Sequence, residues 1–357
     1  MRKPPKITCV DLFCGVGGLT HGLVRGGIRV AAGIDLDPNC RFPYEANNRA
    51  KFVDADVREV SGGQLQALWG NESYSLLAGC APCQSFSTYS RKTRKYRRDA
   101  RWELVDEFAR LTVEAKPDLV TMENVPQLAD HEVFRKFLGT LGEYQVWHRV
   151  VECSGLGVPQ TRKRLVLLAS RLGKVSLIEK PPRTATVRET IQHLAPLAAG
   201  QSDTHDALHS ACSLSELNLR RIRASKPGGS WRDWNADLLA GCHRKRSGET
   251  YPSVYGRMEW DAPAPTITTQ CFGYGNGRFG HPQQDRAITL REAALLQTFP
   301  PSYRFLKTGE RFAFHVLGRL IGNAVPIRLG EIVAASLIEH VNKHQRGDRS
   351  APAYQPR

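Results

Sequence analysis

The sequence predicts an α/β fold, a mostly parallel sheet covered by helices, that is interrupted by a smaller second unit and rejoined near its C-terminal end. Three observations carry this. Between residues 7 and 170 short β-type runs alternate with helical patterns, the signature of successive βα units. From residue 172 to 285 clean periodicity disappears, and Pro181-Pro182, Pro227-Gly228-Gly229 and several tryptophans take its place. Strong helical periodicity then returns.

In chain order, the strands expected are 7–13, 30–34, 75–78, 118–121, 145–151 and 164–169, each a short apolar or β-branched run. Helices are expected near 19–25, 38–47, 103–116 and 131–141, and later at 289–297, 312–320 and 327–340. Residues 1–171 and 286–343 should therefore form one domain and 172–285 a second. The stretch 344–357 is polar, basic and proline-containing, and is expected to be a disordered tail.

At 357 residues, 41% of them hydrophobic, the chain suits a domain of ~250 residues carrying one of ~100. No run approaches the ~20 apolar residues of a membrane span, and residues 1–6 lead straight into a strand, so a cytoplasmic protein without membrane contact is expected. Nine cysteines, an odd number, argue for reduced thiols. Cys9, Cys14, Cys40, Cys153, Cys212, Cys242 and Cys271 lack paired ligand spacing, and no metal is expected.

The formal net charge of +15 points to a polyanionic partner. The charge is clustered: Arg91, Lys92, Arg94, Lys95, Arg97, Arg98 and Arg101 fall in one short segment interleaved with Tyr89, Tyr96 and Trp102. That composition grips a phosphate backbone.

Asp11-Leu12-Phe13-Cys14-Gly15-Val16-Gly17-Gly18 follows a strand and opens a helix, where glycines let the backbone approach a ligand. A dinucleotide fingerprint would need glycine where Thr20 stands, so that reading fails. Acidic residues close this strand and the two that follow: Asp11, then Asp35 before Leu36, then Asp54 and Asp56. Three acidic strand ends around a glycine loop suit a cationic sulfonium nucleoside better than a phosphate-rich cofactor. Asp11 would pair with a cationic amine, Asp35 with a ribose diol and a carboxylate of Asp54 or Asp56 with an adenine amine, while Leu36 covers the adenine face.

Gly79-Cys80-Ala81-Pro82-Cys83-Gln84-Ser85-Phe86-Ser87 places a cysteine between proline and glutamine where a buried strand yields to a polar loop. Pro82 fixes the backbone ahead of Cys83. Cys80-Ala81-Pro82-Cys83 also reads as a redox dithiol, but that reading predicts a thioredoxin-like unit of ~100 residues and leaves the other motifs unexplained. Cys80 is taken as a packing residue. Met122-Glu123-Asn124-Val125-Pro126 ends the next strand and should emerge at the same sheet edge, bringing Glu123 beside Cys83. In Gln160-Thr161-Arg162-Lys163-Arg164 the alternate arginines, Arg162 and Arg164, should point the same way and hold the substrate.

Taken with Arg291-Glu292, Gln297-Thr298-Phe299-Pro300 and Gly322-Asn323-Ala324-Val325-Pro326, these segments resemble the ordered motifs of the DNA (cytosine-5) methyltransferases. The resemblance covers the chain except its middle unit and tail. It implies a Rossmann-like S-adenosylmethionine-dependent methyltransferase sheet with a target-recognition domain at 172–285. It implies also that Cys83 adds to C6 of a flipped-out cytosine, that Glu123 hydrogen-bonds N3 and the exocyclic amine, and that Arg162 and Arg164 anchor the base and the nucleophile. S-adenosylmethionine would be framed by Phe13, Gly15, Gly17, Gly18 and Pro82, with Asp11, Asp35, Leu36 and Asp56, and with Asn323 at the methionine end. At position 35 the family more often carries glutamate and at 36 a larger hydrophobic residue. Double-stranded DNA would be met by Gln84, Ser85, Ser87, Arg91, Arg94, Arg97 and Arg101 around the nucleophile, and by Thr266, Thr268 and Arg278 in the middle unit. The resemblance implies a monomer of restriction-modification or orphan type, a cognate restriction endonuclease being a partner on the same site. A transfer RNA branch built on the same motifs carries Cys-Phe-Thr where this chain has Cys271-Phe272-Gly273. A DNA-binding regulator that has lost catalysis would not be expected to keep Cys83, Glu123 and both arginines.

Overall fold

A computed structural model of the chain describes residues 5–71, 74–82, 103–178, 183–245, 248–249 and 251–347. The chain folds as two compact units, one made of Met1–Glu152, Lys163–Pro181 and Val325–Arg357, the other of Cys153–Arg162 and Pro182–Ala324.

The first unit contains, in order, β1 (Ile7–Leu12), α1 (Gly18–Arg25), β2 (Arg29–Asp35), α2 (Arg41–Asn48), β3 (Lys51–Asp54), α3 (Gly62–Trp69), β4 (Tyr74–Gly79), α4 (Glu103–Ala115), β5 (Leu119–Asn124), α5 (Glu132–Thr140), β6 (Gln145–Glu152) and β7 (Lys163–Ser170). The strands form one sheet in the order β3-β2-β1-β4-β5-β7-β6. Neighbours from β3 to β5 pair in parallel, whereas β7 is antiparallel to both β5 and β6. The expected α/β architecture is thus present, with one reversed strand. All six residues of β1 are buried, the continuous apolar reading of a central strand with both faces covered. On one face α4 buries Val105, Phe108 and Leu111, and α5 buries Val133, Phe134 and Phe137. The Phe108 and Phe137 rings meet edge to face, 5.5 Å between centroids.

The second unit holds α6 (Val187–Ile191), α7 (Glu216–Ala224), α8 (Leu290–Leu296) and α9 (Phe314–Asn323), and its core gathers Ile222, Trp231, Trp234, Leu238, Val254 and Tyr274. The chain then returns to the first unit as α10 (Ile327–Gln345). Helices α1 and α10 pack almost backbone to backbone: a β-carbon on Gly22 would lie 2.4 Å from the Ile327 carbonyl oxygen and 2.7 Å from Gly330 Cα. The stretch Phe314–Gln345 reaches a mean hydropathy of 1.4, but 67% of that window is buried within the protein and Pro326 interrupts it, as befits core helices.

Two boundaries differ from those expected. The return to the first unit comes at Val325 rather than near 286, because α8 and α9 are tied inside the second unit. Gln160 Nε2 donates to the Leu296 carbonyl (2.9 Å) and to Gln297 Oε1 (2.8 Å), and Gln297 Nε2 donates to the Ile321 carbonyl (2.9 Å). Helix α10 runs two residues into the expected tail, whose remainder from 348 lies outside the described residues. Strand β3 was expected only through its acidic end at Asp54, with no bounds given, and helix α3 was not among the expected elements. For α3 the signal was present: Ser61 and Gln64 form a reciprocal capping box, with Gly62-Gly63 between them diluting the helical pattern.

Candidate active site

Because β1 to β5 are parallel, their carboxyl ends share one sheet edge, the edge at which open α/β sheets bind ligands. Asp11, Asp35, Gly79 and Glu123 stand at those ends. Strand β7 runs the other way, so its beginning reaches this edge. The register pairs Asn124 with Leu165, and Arg164 follows one residue beyond.

After β1 the chain turns through left-handed backbone at Phe13 (φ 56°), Gly15 (φ 52°) and Gly17 (φ 86°). For a phenylalanine that conformation is strained, and such strain persists where the surroundings enforce it. Gly15 N donates to Asp35 Oδ2 (2.8 Å) and Asp37 N to Asp35 Oδ1 (2.9 Å), so Asp35 closes the loop onto β2. Burial raises the Asp35 carboxyl above its ordinary range despite those amides. Gly18 lets the Val325 carbonyl approach: a β-carbon there would lie 2.3 Å from its oxygen. Leu36, beside Asp35, is 57% exposed, more than any other large hydrophobic among the described residues. Asp56 is already engaged, accepting from Arg58 N (3.0 Å) and pairing with Arg58 Nη1 (3.0 Å). Asn323, the last residue of α9, is exposed in the second unit.

Asp11 is 1% exposed and accepts a 2.6 Å bond from Thr20 Oγ1, which also meets Tyr44 Oη at 3.1 Å. Burial pushes its carboxyl from 3.8 to about 7, with the Thr20 bond opposing and Asp35 adding to the rise. No cationic side chain among the described residues forms an ion pair with it. An acid whose charge is disfavoured by burial in this way, and favoured once a cation arrives, fits a site that receives one. The folded state keeps a proton that the unfolded chain has lost, so stability falls as pH rises from 3.8 to about 7. Asp11→Asn is therefore expected to raise the melting midpoint at pH 8 by about 5 °C, with the gain shrinking toward pH 4 and with weaker cofactor binding. Thermal melts across pH, with and without S-adenosylmethionine, check this.

Glu123 is held from two sides. Arg164 Nε lies 2.8 Å from Oε1, and the two side chains are 12% and 11% exposed. Cys80 Sγ donates to Oε2 at 3.1 Å. Buried Oε1 makes its ion pair without accepting a well-directed hydrogen bond. Next door, Asn124 Nδ2 donates to the Ala81 carbonyl (2.9 Å) and Val125 N donates to Asn124 Oδ1 (2.8 Å). Two consecutive residues of β5 thus grip two consecutive residues leading to Pro82. Burial, and after it the Glu123 carboxylate, pushes the Cys80 thiol well up, so Cys80 stays protonated. Cys80 is a hydrogen-bond donor and not simply a packing residue. Sequence reasoning missed it and Asn124, and only the pairing of β4 with β5 reveals them.

The two arginines have different fates. Arg162, 2% exposed, belongs to the second unit and donates to the carbonyls of Ile267 (3.1 Å), Ala324 (3.3 Å) and Gly322 (3.5 Å). These bonds cross-brace that unit, and the chain passes after Arg162 from the two-residue bridge at Gln160–Thr161 into the large sheet. In the second unit Thr266 Oγ1 donates to the Thr161 carbonyl (2.6 Å), Thr268 is exposed, and Arg278 Nε is buried without a hydrogen-bond partner. Arg257, 5% exposed, donates to the carbonyls of Ile222, His281 and Gln284. Cys83, Gln84, Ser85, Ser87, Arg91, Arg94, Arg97 and Arg101 lie outside the described residues. Among the described residues no group of metal-ligating side chains is assembled.

Comparison with known proteins matches residues 7–339 to the family model described as C-5 cytosine-specific DNA methylase. The chain is 51% identical to Type II methylase M.HgiDII of Herpetosiphon aurantiacus over 94% of its own length and 97% of the relative's. It is 32% identical to Type II methyltransferase M1.BsuMI of Bacillus subtilis, over 92% of its own length and 79% of that protein's. Among solved structures, S. pombe Dnmt2 methyltransferase superposes with a TM-score of 0.60 at 16% identity, over 94% of this chain and all of that one. At that identity the likeness is one of fold.

Proposed function

The chain belongs to the C-5 cytosine-specific DNA methylase family, and from that premise we propose that it methylates C5 of a cytosine flipped out of a specific double-stranded DNA sequence, using S-adenosylmethionine and a transient bond from Cys83 to C6. Membership makes it a DNA (cytosine-5) methyltransferase of the restriction-modification type, acting on cytosine in DNA. The finer steps rest on the residues.

The observation that carries the reading is the Glu123 carboxylate, largely buried at the sheet edge, paired with Arg164 and accepting from Cys80, which stands three residues before Cys83. Cytosine C5 is too weak a nucleophile to take a methyl group unaided. A thiolate added at C6 makes C5 enamine-like and divides the barrier. Glu123 supports that addition by hydrogen-bonding N3 and the exocyclic amine as charge moves onto the ring. Of the two thiols in Cys80-Ala81-Pro82-Cys83, Cys80 is held protonated, which leaves Cys83 as the nucleophile and argues against a redox pair. Elimination of Cys83 follows loss of the C5 proton and releases 5-methylcytosine. The base must leave the stack to be reached.

When bound, S-adenosylmethionine supplies an activated methyl group on a sulfonium centre. Asp11 contributes negative charge toward the cationic ligand, Asp35 an acceptor for the ribose, and exposed Leu36 an apolar face for adenine; Phe13, the glycine turn and Pro82 frame it. The partial commitment of Asp56 to Arg58 makes its adenine contact the weaker one. Asn323 is assigned the methionine end. The basic segment from Arg91 to Arg101, with Gln84, Ser85 and Ser87, is assigned to DNA around the target base. Exposed Thr268, with Thr266 and Arg278, is assigned to sequence reading. A monomeric, cytoplasmic enzyme sharing its site with a restriction endonuclease completes the proposal. Nothing favours the RNA reading: Cys271 is fully buried, and burial pushes its thiol up to about 12.

Expression in a host without cytosine methylation, followed by bisulfite sequencing of its DNA, tests the proposal and yields the recognition sequence. 5-Methylcytosine at one recurrent sequence is the expected result. Its absence with folded protein present would sink the reading.

A further inference from the structure

The Cys80 contact goes beyond the assignment of Glu123 and rests on it. A glutamate side chain has three rotatable bonds, and a catalytic carboxylate works only if its plane is fixed against the substrate edge before reaction. Arg164 meets Oε1 at 2.8 Å, an ion pair at one corner. One anchor leaves the carboxylate free to rotate about it. The second corner, Oε2, is held by the Cys80 thiol at 3.1 Å.

We infer that Cys80 is a positioning residue for methyl transfer: its thiol donates to Glu123 Oε2 and, together with Arg164 on Oε1, fixes the carboxylate for the cytosine N3 and amine. Each carboxylate oxygen can accept two hydrogen bonds, so both anchors leave room for the exocyclic amine to donate and for a proton shared with N3 as charge moves onto the ring. Cys80 is suited to this in three ways. Its own backbone is pinned, Cys80 N donating to the Leu12 carbonyl at 3.3 Å. The neighbouring Asn124 to Ala81 bond (2.9 Å) keeps the ends of β4 and β5 in register, so the thiol and the carboxylate share one rigid frame. Finally, burial keeps the sulfur protonated, hence a donor and not a second negative charge beside Glu123.

The test compares Cys80→Ala and Cys80→Ser in the full-length protein on DNA carrying the site that bisulfite sequencing identifies. Cys80→Ala is expected to lower kcat about tenfold with KM for DNA and for S-adenosylmethionine unchanged, and Cys80→Ser, which restores a donor, to recover most of the loss. A packing role predicts the opposite pattern, with the polar serine no better than alanine. Wild-type kcat in Cys80→Ala, or equal loss in both variants, overturns the inference. Should Cys80→Ala fail to fold, Cys80→Val supplies the comparison with the volume kept and the donor removed. Glu123→Gln is the control for the underlying reading. If it retains full activity, the role of Glu123 falls and that of Cys80 with it. If it is inactive while Cys80→Ala turns over normally, only the positioning role is lost.

Discussion

Cys83→Ala is expected to lower methyl transfer by ~10³-fold or more while S-adenosylmethionine binding stays at the wild-type level. The size of the effect follows from the chemistry. In the proposed mechanism every other assigned group stabilises charge or holds a reactant, whereas the thiolate alone would make C5 nucleophilic. Cys80, the nearest candidate in sequence, is held as a protonated thiol by burial and by the Glu123 carboxylate. Most residues assigned to the cofactor sit on the turns after β1, β2 and β3, and Pro82 itself is kept, so the change is expected to leave their frame intact. Methyl transfer to site-containing DNA and cofactor binding by calorimetry, measured on one preparation, separate the two. Substantial activity in the variant would remove Cys83 from the mechanism, and loss of cofactor binding would show that the substitution damages the fold.

Glu292→Ala is expected to cost about 3–5 kcal/mol of stability. Arg286 and Glu292 are 0% and 1% exposed and form a two-pronged pair at 2.8 and 2.7 Å. The carboxylate also accepts Thr289 N at 2.7 Å, capping α8, while Arg286 Nε donates to Gln284 Oε1 (2.8 Å) and Nη1 to the Ala287 carbonyl (3.0 Å). Removing one partner strands a guanidinium with no water to receive it, and the cap is lost as well. Burial raises the Glu292 carboxyl, but the hydrogen bonds and charge of Arg286 outweigh it and hold the group below its ordinary 4.5. A lowered acid stabilises the fold above that value and stops doing so as pH falls below it. Urea unfolding followed by tryptophan fluorescence measures the loss, Trp231 and Trp234 lying in the same unit. The penalty should narrow in acid, where the wild-type pair is itself weakened. A midpoint unchanged at neutral pH would refute the account.

The first unit was legible in the sequence because its information is local. Buried parallel strands read as apolar runs, and a turn of glycines after a strand admits few structures. The sequence therefore placed the strand ends at Asp11 and Asp35 around one glycine turn and Glu123 at the sheet edge of Cys83. What sequence did not show was pairing across the chain. Arg162 and Arg164 differ only by one intervening lysine, yet one binds carbonyls at 267, 322 and 324 and the other binds Glu123. Alternation along a strand says nothing about a chain that changes unit at that point. Cys80 looked inert because the carboxylate it serves lies 43 residues away. The second unit was the least legible, since polar and charged side chains such as Arg257, Arg286 and Gln160 do work there that repeating apolar patterns do elsewhere.

The glycine contact between α1 and α10 sets an order of events during synthesis. Gly22 emerges early, but its partner Gly330 is translated some 300 residues later, an interval of ~15–60 s at ordinary ribosomal speeds. Until then the turn that follows β1 lacks the Val325 carbonyl seated against Gly18. A nascent chain that already carries β1 and the glycine turn is thus still missing the helix that packs against α1. The enzyme's activity should switch on with completion of the polypeptide rather than with translation of its catalytic motifs.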